Sequence, residues 1–297
     1  MGLGFSKFVS SGNEADLRFE DYLEYLAEDD KTNVILGYVE GLREGRRFIE
    51  LARDITIKKP IVIMKTGRTD VGSRAARSHS AALAGTDAVF DAVLKQCGVI
   101  RVDRIEELVD VAIALLGQPL PRGRNIAVLS MGGGMAVTTA DSLRREGLEM
   151  PPLSPSTMGK LDSILSSRWS RGNPVDPAGD FVSYHCLWPI MEDDSTDAVL
   201  AVGAVGMAAG FPGWAPASMK RDVSRMRKFM ENAELENIEK TLQLMDQLRK
   251  PVILTAGVTG TGVNGRVPKR LRRSHRNLYP TPESGVKVLA HLVPCNI

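Results

Sequence analysis

Cysteine is scarce here: Cys97, Cys186 and Cys295 are odd in number, far apart and without metal-ligand spacing. That argues against a disulfide framework or a zinc site and fits a reducing cytoplasm. Long apolar runs are also missing, and none approaches the roughly 20 residues that a membrane span needs. Charge of one sign is not in excess either, because 38 basic residues face 36 acidic ones for a net of +2. A nucleic-acid partner therefore has no electrostatic footprint, and the densest basic run, Lys269 to Arg273, reads as a solvated face. The opening Met1-Gly2-Leu3-Gly4 lacks the charged and apolar regions of a signal peptide and reads as the middle of a longer pattern.

What is present is the composition of an ordinary soluble protein, with 43% hydrophobic and 25% charged residues over 297 positions, enough for two domains with their own cores. Short β-branched runs alternate with helical patterns. An amphipathic stretch from Phe19 to Leu26 precedes a strand at Asn33–Val39. Next come a helix from Arg46 to Ile55, a strand at Ile61–Met64, a helix from Asp87 to Gln96, a strand at Val99–Val102 and a helix from Ile105 to Leu116. Gly117 to Gly123 is rich in Pro and Gly and marks a linker, which divides the chain into domains 1–120 and 121–297. The pattern then restarts with a strand at Ile126–Leu129, helices at Met135–Arg145 and Ser156–Leu165, and a strand at Ala198–Val202. A long charged helix from about Ala217 to Leu248, a strand at Val252–Thr255 and a helix from Pro282 to Leu292 complete it. Strands separated by helices predict an α/β fold with two parallel, doubly wound sheets.

Several segments carry candidate chemistry. The stretch Lys65 to Gly85 leaves the carboxyl end of a buried strand, where open α/β sheets place ligands. It is basic and glycine-containing, and it sets His79 between Ser78 and Ser80. Glu40, at the end of its own strand, reads by itself as a carboxylate facing the dipole of the next helix. Ser130-Met131-Gly132-Gly133-Gly134-Met135 is a glycine turn between a strand and a helix, whose unpaired N–H groups offer an anion site. Asn173-Pro174-Val175-Asp176, followed by Gly179-Asp180, reads by itself as an Asn-Pro turn with an Asx-type cap, and is kept as a candidate loop near the domain interface. Gly260-x-Gly262-x-x-Gly265 has dinucleotide spacing but runs into Arg266-Val267-Pro268-Lys269 instead of an apolar helix, which disfavours a dinucleotide site. His185, beside Cys186 and Trp188, reads as packing, and His275 and His291 have no partner spacing. Met226, Met230 and Met245 read as core contacts.

The loop motif resembles the succinyl-CoA synthetase superfamily, in particular its NDP-forming (ADP-forming) acyl-CoA synthetases. Lys65-x-Gly67-Arg68 followed by Ser78-His79-Ser80-Ala81-Ala82-Leu83-Ala84-Gly85 is similar to the family's histidine loop, and Tyr38-Val39-Glu40-Gly41 is similar to the strand end that carries its glutamate. The resemblance extends from Gly2 to about Leu292. It implies two flavodoxin-like domains in tandem, a histidine-loop CoA-ligase domain and a second CoA-ligase domain. His79 would be phosphorylated while Glu40 holds its other ring nitrogen, an arrangement that frees a lone pair for phosphorus and stabilises the charged product. Gly132, Gly133, Gly134 and Met135, with Ser78 and Ser80, would bind the phosphoryl group, and the basic Lys65, Arg68, Arg74 and Arg77 could balance its charge. Ser10, Ser11 and Asn13 would line the acyl-CoA side, or simply cap a helix starting near Ala15.

The resemblance further implies coenzyme A, ATP or ADP and Mg2+ as cofactors, held mainly by a Rossmann CoA-binding domain and an ATP-grasp partner that are not recognisable here. A homodimer is left open, and no metal site is expected on this chain. Two alternatives stay in view. One is a non-catalytic regulatory scaffold of the kind found in related protein acyltransferases, disfavoured because such proteins usually lose the histidine. The other is a flavin-binding module at Gly132 to Gly134, disfavoured because no aromatic residue flanks those glycines and aromatics are only 5%.

Overall fold

The computed structural model describes residues 3–69, 71–72, 87–179, 183–206, 220–256 and 265–293. They form two compact units, 3–116 and 117–294. Every strand pairing in both is parallel, as the alternating pattern predicts.

In the first unit, α1 (Phe19–Glu28) precedes β1 (Ile35–Val39), α2 (Gly45–Thr56), β2 (Ile61–Lys65), α3 (Asp87–Gln96), β3 (Ile100–Val102) and α4 (Ile105–Gly117). The sheet order is β1-β2-β3. Ile35, Ile61 and Ile63 on one face pack with Leu23 of α1, Phe48, Ala52 and Ile55 of α2 and Leu94 of α3. Val62 and Val102 point to the other face and are buried as well, so this sheet is covered on both sides and reads as continuous β-branched runs.

The second unit runs β4 (Ile126–Ser130), α5 (Gly133–Arg145), α6 (Pro155–Ile164), α7 (Ser183–Met191), β5 (Ala198–Val205), α8 (Lys220–Leu248), β6 (Val252–Ala256), α9 (Arg266–Arg273), β7 (Leu278–Tyr279) and α10 (Pro282–Leu292), with sheet order β4-β5-β6-β7. Two short segments extend the sheet beyond β4. Glu149 bridges to Asn125 and Val175 to Leu129, both parallel. Ile126 and Ser130 donate to Glu149 O and Val175 O, while Met131 donates to Val202 O on the β5 side. The chain therefore steps outward from β4 in one direction and then returns to its opposite edge with β5. That reversal is a topological switch point, and it falls at the carboxyl end of β4.

Helices cover both faces. One layer holds α7 against β4, β5, α6 and α8, with α9 on α8, and the other holds α10 against β5, β6 and α5. Gly285 lets α10 come close, since a methyl group there would stand 2.5 Å from Thr255 Cγ2.

Several elements differ from the sequence expectation. Helix α1 begins at Phe19, not near Ala15, and its cap is Arg18. Ser11 instead donates to Glu14 at 3.1 Å, so Ser10, Ser11 and Asn13 do not cap it. Helix α5 begins two residues earlier than Met135, directly after Gly132. Met226 is not a core contact, because it lies on the first turns of α8, which run free of the sheet, and is 50% exposed, whereas Met245 is buried. The basic run at 269–273 belongs to α9 and keeps Lys269 and Arg273 exposed, as expected, while the helix buries Val267, Pro268 and Leu271 and Arg270 pairs with Glu239 of α8. Cys295, Gly260 and Gly262 lie outside the described residues.

A buried carboxylate ties the start of α6 to the turn before β5. Asp193 accepts from Ser154 N at 2.8 Å, Ser195 N at 2.9 Å and Ser195 Oγ at 2.6 Å. Burial pushes its carboxyl up, but these bonds and that of Thr157 outweigh burial and hold it at about 2. Because the folded value lies below the unfolded one, the stabilisation is complete above the usual carboxylate pKa and fades as pH falls towards the folded value. Asp193→Asn should cost about 2 kcal/mol of unfolding free energy at neutral pH. Urea titrations of both proteins at descending pH should show that gap closing, and a gap that stays constant down to acid pH would contradict the assignment.

Candidate active site

The carboxyl edge of the first sheet gathers the predicted residues that the structure describes. Val39 and Lys65 stand level in the β1–β2 register, and Thr66 N donates to Val39 O at 3.0 Å, so the pairing persists one residue beyond the strands. Glu40 emerges here beside the segment leaving β2. It is half-buried, with one carboxylate oxygen withdrawn from solvent. The turn that follows it is fixed from α1: the buried Glu20 accepts from Glu44 N at 3.2 Å, and Arg18 pairs with Glu44. Arg43 donates to Asn13 O at 2.8 Å, which attaches the opening segment to the same turn. Ser10, Ser11 and Asn13 are all exposed. His79, Ser78, Ser80, Arg74 and Arg77 lie outside the described residues.

Lys65 and Arg68 take part in a charged cluster that the sequence did not reveal. Lys65 is almost fully buried at the end of β2, where its Nζ donates to Thr66 O at 3.0 Å and lies 3.9 Å from Asp87 Oδ1. Arg101 of β3 donates to Asp87 at 2.6 Å and to Asp91 at 3.2 Å. Arg68 reaches Asp87 at 3.6 Å and also pairs with Asp103. Burial pushes the Lys65 ammonium pKa down. The Asp87 carboxyl, raised by burial, is brought below its ordinary value by Arg101, Arg68 and Lys65. The available signal for Arg101 was a charge inside an otherwise apolar strand pattern, since a buried charge requires a partner.

In the second unit, the glycine turn sits at the switch point. Gly132 caps α5 with φ of 149°, a conformation that glycine supplies without strain. Ser130 Oγ donates to Gly132 O at 3.0 Å. Gly133, Gly134 and Met135 form the first turn, whose N–H groups have no intrahelical acceptors. An added methyl at Gly134 would meet nothing within 4 Å, whereas one at Gly133 would come within 3.3 Å of Asp176 Oδ2. Asp176 belongs to the candidate loop that the sequence offers, though the sequence assigns no role to its side chain. Its carboxylate lies beside the α5 N-terminus, favourable for the helix dipole, and accepts from Ala178 N at 2.9 Å.

Asp176 is delivered there by pairing of its neighbour to β4. Val175 exchanges backbone bonds with Val128 and Ser130. The Asn173 side chain accepts from Val128 N at 2.9 Å and donates to Ile126 O at 2.8 Å and Pro151 O at 3.0 Å. The Asn-Pro turn is therefore an edge segment of the sheet and not a surface turn alone. Among the described residues, no group of three His, Cys, Asp or Glu is arranged to hold a metal ion, and no helix is long and apolar enough to cross a membrane. His185 is exposed and stands edge-on to Trp188, ring centroids 5.4 Å apart.

The first unit carries a glutamate and a basic strand exit at the carboxyl edge of its parallel sheet, and the second carries a glycine turn at the carboxyl edge of its own, each where open α/β sheets set their ligands. Residues 1–115 match the family model described as the succinyl-CoA ligase like flavodoxin domain. The chain is 37% identical over 235 residues to the alpha subunit of an ADP-forming acetate–CoA ligase II from Pyrococcus furiosus, covering 78% of this chain and 50% of that protein. It is 34% identical over 292 residues to an ADP-forming acetate–CoA ligase of Methanocaldococcus jannaschii, covering 98% of this chain and 39% of that protein. A solved structure of a dinucleotide-forming acetyl-coenzyme A synthetase from Ca. Korarchaeum cryptofilum, in complex with phosphate and ADP, superposes with a TM-score of 0.78 at 28% identity, over 98% of this chain and 59% of that one. Residues 1–115 thus belong to the succinyl-CoA ligase like flavodoxin domain family, and the chain as a whole is homologous to ADP-forming acetate–CoA ligases. It spans half or less of the length of these curated relatives.

Asn173 is the residue on which the second-unit edge turns. Asn173→Ala strips partners from Val128 N and Ile126 O and should destabilise the protein by about 2 kcal/mol, whereas Gly134→Ala, facing open space in a helix, should leave stability unchanged or raise it by up to about 1 kcal/mol. Thermal unfolding of the two variants decides this, and equal midpoints would contradict it.

Proposed function

We propose that this chain is the phosphohistidine-carrying part of an NDP-forming acyl-CoA synthetase, which converts acyl-CoA, phosphate and ADP into the carboxylic acid, CoA and ATP. The observation that carries this reading is the level pairing of β1 and β2. It sets Glu40 beside Lys65-Thr66-Gly67-Arg68, the start of the segment that bears His79. The histidine itself is assigned from the motif.

A phosphate oxygen attacks the thioester carbonyl, the C–S bond breaks, and CoA leaves as thiolate, giving an acyl phosphate. A neutral imidazole nitrogen of His79 then attacks phosphorus, its N–P bond forming as the P–O bond to the acyl oxygen breaks and the carboxylate departs. Glu40 fixes the second ring N–H and balances the positive charge of the phosphorylated imidazole. An oxygen of the ADP β-phosphate takes the phosphoryl group, the N–P bond breaks, and His79 is regenerated. The work asked of the protein is positioning and charge stabilisation. Ser78, Ser80 and the N–H groups of Gly132, Gly133, Gly134 and Met135 are assigned to the phosphoryl oxygens, and Ser10, Ser11 and Asn13 to the acyl-CoA side. The nucleotide with its Mg2+, and most contacts to coenzyme A, are assigned to an ATP-grasp and a Rossmann part outside this chain. The alpha-subunit relative from Pyrococcus furiosus supports a division of the enzyme between chains.

Incubation with acetyl phosphate, or with the nucleotide-binding part and labelled ATP, should place one acid-labile, base-stable phosphate on His79, read by mass spectrometry. His79→Ala should abolish it, and Glu40→Gln should slow its formation by about ten-fold or more. Labelling that survives in His79→Ala would overturn the reading in favour of another acceptor, and a wild type that stays unlabelled with the nucleotide-binding part and labelled ATP would overturn it in favour of a non-catalytic scaffold.

A further inference from the structure

Arg101 sits on a strand of three residues with its side chain only 10% exposed. Its Nη2 donates to Asp87 Oδ1 at 2.6 Å, and its Nη1 donates to Asp91 Oδ1 at 3.2 Å and to Asp87 O at 3.4 Å. Its Nε is enclosed with no hydrogen-bond partner among the described residues. Asp87, Phe90 and Asp91 lie at spacings of three and four on one face of the first turn of α3. That face closes on two cations at once, since the Phe90 ring lies 5.4 Å from Lys65 Nζ and 5.9 Å from the Arg101 guanidinium. Asp87 is thereby shared among Arg101, Lys65 and, at 3.6 Å, Arg68.

Such an arrangement is a poor choice for stability alone. A buried charge pair is often no better than apolar packing of the same volume, and here a guanidinium N–H is left unmet inside. What the pair supplies is direction. A planar guanidinium with fixed donors sets both the position and the angle at which α3 begins. The location gives that direction a use, because Arg68 and Asp87 bracket the segment that contains His79. The contact between them holds the two ends of that segment together at the carboxyl edge of β2, level with the strand end that carries Glu40.

We propose that Arg101 is a positioning residue for phosphoryl transfer, which anchors Asp87 beside Lys65 and Arg68 and so fixes the base from which His79 is presented to the acyl phosphate. This rests on the assignment of His79 as the phosphoryl carrier. Arg101 touches no reacting atom. Its influence passes through the Asp87 carboxylate, and an error of about 1 Å at the reacting group is enough to cost about a hundred-fold in rate.

The test uses the complete synthetase with its nucleotide-binding part, and the variants Arg101→Met, Arg101→Lys and Asp87→Asn. Single-turnover formation of phosphohistidine from acetyl phosphate is measured per folded molecule, alongside kcat and KM in the steady state. In Arg101→Met the rate should fall by about ten-fold or more while KM stays within about two-fold, and Arg101→Lys should recover part of the loss. Asp87→Asn, which keeps the shape of the side chain, should slow the step in the same way and supplies the answer if Arg101→Met does not fold. Wild-type rates per folded molecule in both Arg101→Met and Asp87→Asn, with His79→Ala unlabelled, would overturn the positioning role and leave the phosphohistidine assignment standing. Labelling of His79→Ala would instead remove the assignment on which the proposal rests.

Discussion

Parallel pairing delivers the carboxyl end of every strand to one edge of its sheet, and both units contain parallel pairs throughout their described strands. From that constraint the location of the chemistry follows. Each strand exit adds a loop to the same edge, and the residues that begin those loops become neighbours however far apart they are in sequence. Glu40 and Lys65 are 25 positions apart and stand one strand apart. Asp176 and Gly133 are brought together in the same way, by a short segment that pairs along β4 after two intervening helices.

The two edges differ in the charge that they present. The first relies on side-chain charge: two cations withdrawn from water around one carboxylate, with the more exposed Asp91 and Asp103 pairing outside. The second relies on backbone dipoles, a helix start whose N–H groups face outward from a glycine turn. Side-chain charge is strong but costly to bury, while backbone donors need no desolvated cation and suit a group that is bound only part of the time. Asp176 tempers the second edge, placing a negative charge where an anion would otherwise meet only donors.

Long β-branched runs and their bounding helices were legible, because a strand buried on both faces and an amphipathic helix each impose a period on the sequence. Helix α3 is described from Asp87 to Gln96, the span of its pattern. Elements whose cause is not periodic were hidden. Helix α7 contains Pro189 and mixed aromatics, and the pairing of Val175 involves a single residue, too short to leave an alternation. Gly133 and Gly134 are weak helix formers, so α5 seemed to start later than it does. The roles proposed for Glu40 and His79 come only from family resemblance. Arg101 and Asp176 depend on contacts between elements distant in sequence, which no local pattern encodes.

Helix α8 is 29 residues long, about 43 Å at the rise of an α-helix, far more than β5 and β6 can cover. Its later half is fastened by Ile238, Leu242 and Met245, while the earlier turns display Met226 and Phe229 to solvent. Those two side chains take no part in the core of their unit, so a polar residue at either position leaves the packing around Ile238, Leu242 and Met245 untouched.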